Sequence, residues 1–265
     1  MSEYNDPFHG TVPETIPLTN PPLTGVVAQV RFPEVLSIAK KDFVADFQEK
    51  IRRDYPINQQ DDSIVLQLTP EGAKQSTSPN WRFFDVNQEW RLSLTTNFIT
   101  LEARNYSSRP DFTERLGKIA QALSETVNPA FITRIGVRYI NRIYGPHLEN
   151  IEALLNPEVI GFADSSHRER VVRTMHETVS ETDEGIVVAK WGYMPKSQTH
   201  EPDMMPAINA DSWFLDVDVY EGYQKPLVFD ANQIQGKTMA LATRSYGVFR
   251  WAVKDDFLKV FGGDV

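Results

Sequence analysis

Phe131-Ile-Thr-Arg-Ile-Gly-Val-Arg-Tyr-Ile-Asn-Arg-Ile-Tyr144, FITRIGVRYINRIY, decides how the chain is read, because it carries Arg134, Arg138 and Arg142 at even spacing within a run of β-branched and aromatic residues. A β-strand sends alternate side chains to opposite faces, so the three guanidinium groups share one face with Ile132, Gly136 and Ile140. Phe131, Ile135, Val137, Tyr139 and Ile143 line the other. Arginines four apart on one strand lie roughly 13 Å from each other, which is a stripe rather than a clamp on one small phosphate. The stripe has a complement. In Trp213–Tyr220 (WFLDVDVY), Asp216 and Asp218 share a face with Phe214 and Tyr220. Cross-strand Arg–Asp pairs on the open polar face of an antiparallel sheet would use both stripes, at about 0.2–1 kcal/mol each. The competing reading gives Arg134, Arg138 and Arg142 to an anion or a partner.

Outward from this stretch, the pattern alternates short strands with amphipathic helices. Residues 1–22 carry five prolines and no periodicity, an extended N-terminal arm. Leu23 to Phe32 reads as a strand, Lys40–Asp54 as a helix with Phe43, Val44, Phe47 and Ile51 on one stripe, and Ser63–Thr69, Trp81–Val86 and Trp90–Ala103 as further strands. Pro110 suits a first helical turn, and Phe112, Leu116, Ile119, Leu123 and Val127 recur at helical spacing. After the arginine strand come a short helix near Leu148–Leu155, strands at about 170–181, 186–194 and 213–220, and a last helix with Asp230 as N-cap. Pro195–Asp211, with three prolines, reads as a mobile insertion outside the core. These elements predict an α+β protein with a large, mainly antiparallel sheet and long helices gathered on one face. The order permits an internal duplication, two fused βαβββα halves at 23–129 and 130–265, although no sequence repeat accompanies it.

Composition excludes several functions. With 27 Lys and Arg against 36 Asp and Glu the net charge is −9, so the field of the whole molecule repels nucleic acid. No cysteine is present, which removes disulfides, thiolate nucleophiles and cysteine metal sites, and suits a reducing cytoplasm. No apolar run reaches the roughly 18–20 residues of a membrane span, and the opening MSEYNDPFHG has no leader pattern. Asp216-x-Asp218 invites a metal reading, but no third carboxylate accompanies it at fixed spacing. The histidines, His9, His147, His167, His176 and His200, form no ligand pair. Hydrolase and nucleotide motifs are likewise missing, so neither a catalytic residue nor a cofactor is assigned. Trp81, Phe83, Phe84 and Trp90 beside Arg82 and Arg91 suit a packed sheet better than a base-stacking surface.

Pro21-Pro22-Leu23, Arg31-Phe32-Pro33, Tyr55-Pro56, the aromatic strand at Trp81–Phe84, Arg134-Ile-Gly-Val-Arg-Tyr-Ile-Asn141 and the closing Phe261-Gly262 together resemble a sporadically distributed family of uncharacterised prokaryotic proteins. The resemblance runs from about residue 21 to 262. It implies a cytoplasmic prokaryotic protein of patchy occurrence, the distribution of mobile or defence-linked genes, and transfers no catalytic residue. The resulting expectation is a non-catalytic binding or adaptor protein that engages a protein partner, homodimeric through a sheet edge or the apolar end at Phe257 and Phe261. The alternatives are a holdase-like chaperone or antitoxin, a ligand-gripping domain or unrecognised enzyme, and a nucleic-acid binder using the arginine stripe.

Overall fold

Phe131–Tyr144 forms one continuous strand, β6, in a computed structural model that describes residues 6–69, 72–164 and 166–265, and side chains outside 62–78. Eight further strands complete the sheet: β1 Leu23–Arg31, β2 Ile57–Thr69, β3 Gly72–Phe84, β4 Trp90–Leu94, β5 Phe98–Ala103, β7 His176–Glu181, β8 Ile186–Met194 and β9 Ser212–Val228. Their spatial order is β2-β3-β4-β5-β1-β6-β9-β8-β7. The expected α+β class with a large antiparallel sheet is therefore present. β2 to β5 run as one antiparallel meander and β7 to β9 as another. Outward from the adjacent β1 and β6, each set places its last strand first and its earliest meander strand at the sheet's end. Trp90–Ala103 splits at Thr95–Asn97, where the Thr95 amide donates to the Phe98 carbonyl at 2.9 Å, so the first half carries one strand more than expected.

The chain divides into two compact units. One comprises Val27–Gly136 and Gly222–Met239. In it α1 (Lys41–Ile51) buries Val44, Phe47 and Ile51, and α2 (Arg109–Thr126) buries Phe112, Leu116 and Leu123. Ser108 caps α2 by accepting from the Asp111 amide, with Pro110 in the first turn, where its missing amide hydrogen costs nothing. Phe47 meets Phe83 edge-on at 5.9 Å, Trp90 stacks on Phe112 at 6.0 Å, and the buried Trp81 indole donates to the Ile38 carbonyl at 2.8 Å. Trp81, Phe83 and Trp90 are core packing, while Phe84 is half-exposed.

The other unit comprises residues 1–26, Val137–Glu221 and Ala240–Val265. Three one-turn helices, α3 Pro146–Glu149, α4 Ile151–Leu154 and α5 Pro157–Ile160, stand where one short helix was expected, and the strand expected from residue 170 begins only at His176. Asp230 accepts from the Gln233 amide at 2.7 Å and so caps the long helix α6 (Ala231–Ala252), which α7 (Asp255–Val260) follows. Phe257 and Phe261 are 1% and 7% exposed, so these rings belong to the core. The described part of the arm is held by hydrogen bonds. Fully buried Arg244 of α6 donates to the Gly10 carbonyl at 2.8 Å and to both Glu184 oxygens, at 2.6 and 3.0 Å, while Tyr246 accepts from the Ile16 amide at 2.9 Å. Further along the arm, the Asn20 amide donates to the Phe261 carbonyl.

Candidate functional site

β6, β9 and the Pro195–Asp211 segment bring the unit's chemistry-bearing side chains together. Arg138 donates from Nε to Asp216 Oδ1 at 2.7 Å and from Nη2 to Asp216 Oδ2 at 2.6 Å, a two-pronged pairing that matches the planar guanidinium to the carboxylate. Its remaining nitrogen, Nη1, donates to Glu201 Oε2 at 2.8 Å. His200 sets Nε2 2.8 Å from Asp216 Oδ2 and stacks its ring on Phe214 at 4.2 Å. One cation thus sits between two carboxylates, with an imidazole completing the carboxylate's partners. Beneath lies an apolar floor of Ile140, Met194, Met205 and Phe214, each fully buried.

The Arg138–Asp216 pair lies on a face more covered than an open sheet face. Asp216 is 2% and Arg142 3% exposed, because the 195–211 segment folds back over this part of the sheet. Met205 anchors the segment in the core, Thr199 donates its hydroxyl to the Met205 carbonyl at 2.5 Å, and the Ser197 amide donates to the Ile208 carbonyl at 2.7 Å. Arg142 donates to Ser212 Oγ at 2.9 Å and to the Pro206 carbonyl at 2.6 Å. The segment expected outside the core places Met205 in it, while its other residues stay exposed or half-exposed.

Burial alone would push the Asp216 carboxyl up, but the hydrogen bonds from Arg138 and His200 outweigh burial and hold it below the ordinary carboxylate value. Desolvation disfavours the Arg138 cation, and the bonds and charges of Asp216 and Glu201 more than reverse that, so its value lies above that of a free arginine. Both groups stay charged at every ordinary pH. Among the described residues, His200 Nδ1 and Arg142 Nη2 are buried with no partner.

The remaining stripe residues stand differently. Arg134 reaches Gln29 Oε1 at 3.4 Å and folds over Gly136, where a Cβ would come within 2.9 Å of its Nη1, so glycine leaves room for the guanidinium. Asp218 lies opposite Val188 in the β8–β9 ladder. The Asp216-x-Asp218 pair offers no cation site, since Arg138 occupies both Asp216 oxygens, and among the described residues no group of three His, Cys, Asp or Glu is placed to hold a metal. The other histidines are dispersed: His9 meets Asp183, His167 meets Asp164, and His147 and His176 pack on Phe261 and Trp191. Sequence reading missed His200 and Glu201, whose adjacency is their only local signal. In the first unit, a notch of about 70 Å³ is lined by Phe84, Gln88, Glu89, Arg91, Glu102 and Arg104, with Arg91 bound to Glu102. That is room for about two waters, well short of a metabolite pocket.

What the Arg138–Asp216–His200–Glu201 arrangement can do is hold. Asp216 fixes the imidazole, yet each Asp216 oxygen is engaged by Arg138, and Ser212 donates toward the Met194 carbonyl while accepting from Arg142 rather than facing His200. A carboxylate neutralised by a two-pronged arginine is a weak base. Among the described residues no helix is long and apolar enough to cross a membrane. No family model matches the chain, and no curated protein matches it significantly.

Proposed function

We propose that the chain is a non-catalytic binding protein that engages another protein, adding an extended segment of that partner to its terminal strand β2. The β2–β3 ribbon carries this reading. β3 pairs with β4 only over Trp81–Phe84, yet it follows β2 residue for residue from Ile57–Phe84 to Thr69–Gly72. Gly72–Asn80 therefore forms a two-stranded extension, roughly 26 Å long at about 3.3 Å per residue. Asn58, Gln59, Gln60 and Asp61 are exposed in succession, and consecutive strand residues point to opposite faces, so both faces of β2 are open there. A terminal strand offers a row of backbone donors and acceptors, which an extended peptide reads through main-chain hydrogen bonds.

The closed network supports the non-catalytic side of the reading, and the net charge of −9 favours a protein partner over nucleic acid. The lack of cysteine supports a cytoplasmic setting. The matching strand order outward from β1 and β6 supports descent from a duplicated βαβββα unit. Affinity purification from the source cells tests the proposal, using the full chain and one in which Asn-Gly replaces residues 63–78, joining the opposed Asp62 and Pro79 by a tight turn. A protein should co-elute with the full chain and be lost with the shortened one. Equal recovery by both, or recovery of a nucleotide or small molecule instead, overturns it.

A further inference from the structure

Arm residues 6–20 follow a track that starts at Asp183, crosses the later half of α6 and ends at the glycines that close the chain. Contacts come in chain order: Pro7 and Gly10 at Arg244, Glu14 and Ile16 at Tyr246, Thr19 and Asn20 at Gly262 and Phe261. We propose that this track is a receptor for an extended, proline-rich segment of a partner protein, and that the chain's own arm closes it in cis.

The seated arm shows what the track recognises. Arg244 donates to the Gly10 carbonyl at 2.8 Å and the Pro7 carbonyl at 3.4 Å, and Tyr246 accepts from the Ile16 amide at 2.9 Å while donating to the Glu14 carbonyl at 3.3 Å. The Gly10 amide donates to Asp183 at 3.0 Å and the Asn20 amide to the Phe261 carbonyl at 3.1 Å. Among these contacts only His9, on Asp183, supplies an arm side chain. A Cβ on Gly262 would collide with Thr19 Oγ1, and one on Gly263 would come within 3.0 Å of Ile16 and Leu18, so the two glycines admit a chain at close range. Such a track reads backbone shape more than sequence. Pro7, Pro13 and Pro17 fix φ near −65°, so a chain carrying them loses little freedom on docking, and none stands where the track calls on an amide. A segment that served only to stabilise the fold would bury apolar side chains, yet among arm residues 6–20 only Pro7 is buried. The arm therefore belongs to the weakly held end of the structure, whereas Arg244 is kept in place by Glu184 independently of it. A segment of the same backbone shape can take the arm's place.

Fluorescence anisotropy tests this on the full chain with a protease site inserted between the exposed Asn20 and Pro21, so that cutting leaves the arm held by its contacts alone. The probe is a fluorescein-labelled peptide of residues 6–20. The cut chain should take it up at least tenfold more tightly than the uncut chain, whose tethered arm competes at high effective concentration. An unlabelled peptide that keeps the three prolines, Gly10, Ile16 and Leu18, with alanine elsewhere, should compete to within about tenfold. One with Pro7, Pro13 and Pro17 replaced by alanine should compete at least tenfold less well. In the uncut chain, Ile16→Pro removes the amide that Tyr246 accepts from and should likewise raise uptake tenfold or more, with circular dichroism unchanged. No uptake by the cut chain at 100 µM, equal uptake by cut and uncut chains, or equal competition by the proline-free peptide overturns the proposal. It is independent of the β2 reading, since a cut chain shortened at residues 63–78 should take up the same peptide.

Discussion

Arg138 grips Asp216 through both carboxylate oxygens, and neither side chain has water as its main surrounding: the Arg138 side chain is 24% and that of Asp216 3% exposed. A pair of this kind is judged by what its loss leaves behind. Arg138→Ala strands a buried carboxylate with only His200 against it, at a cost of about 3–5 kcal/mol, well above the value of an exposed pair. Urea unfolding of Arg138→Ala, Asp216→Ala and the double variant checks this. The double variant should be less destabilised than the sum of the singles.

The same carboxylate gives stability a pH dependence. Its folded-state value is depressed, so as the pH falls the unfolded chain takes up the proton first. The stabilisation is fully present above the ordinary carboxylate value of about 4, and disappears as the pH falls through the lower folded value. Asp216→Asn should therefore be less stable than wild type at pH 7, with the gap closing toward pH 3, as urea titrations at the two ends would show.

How much of this was legible in sequence depends on where the contacts come from. β6 matches its sequence limits because alternation, β-branching and flanking Pro129 and Gly145 all lie within the segment. The caps at Ser108 and Asp230 are local too. β2 and β3 were under-read, since NQQDD and KQSTSPN carry no apolar period; residue-by-residue pairing extends these strands, and pairing is not written in either one alone. The anchoring of the insertion is hidden for the same reason. Its prolines signal irregular backbone correctly, but what holds it, Arg138 on Glu201 and Arg142 on the Pro206 carbonyl, comes from side chains more than sixty positions earlier.

Met205 is the apolar peg of that segment. With no exposure and Ile140, Met194 and Phe214 around it, Met205→Ala should cost about 2–5 kcal/mol, whereas Leu36→Ala, at a residue 73% exposed, should stay within about 0.5. Chemical denaturation separates the two.

His200→Ala should loosen the segment without unfolding the protein, because it removes the bond to Asp216 and the stack on Phe214 while Arg138 remains. Limited proteolysis reads this out: the wild type should resist cleavage across Pro195–Asp211, and the variant should be nicked there first.

Arg244→Met should release the arm. Without the guanidinium, the Gly10 carbonyl and Glu184 lose their common donor, and the amides of Gly10, Ile16 and Asn20 should exchange hydrogen tenfold faster or more while core amides of β6 stay protected.

The central claim is that the buried charge network holds the fold while the β2–β3 ribbon does the binding. Quantitative recovery of the co-eluting protein from source cells, by wild type, Asp216→Asn and the chain with residues 63–78 replaced, tests it most directly, with circular dichroism confirming that each is folded. The account predicts full recovery by wild type and by folded Asp216→Asn, and loss with the shortened ribbon. Recovery by the shortened chain together with loss by folded Asp216→Asn would contradict it and assign binding to the network.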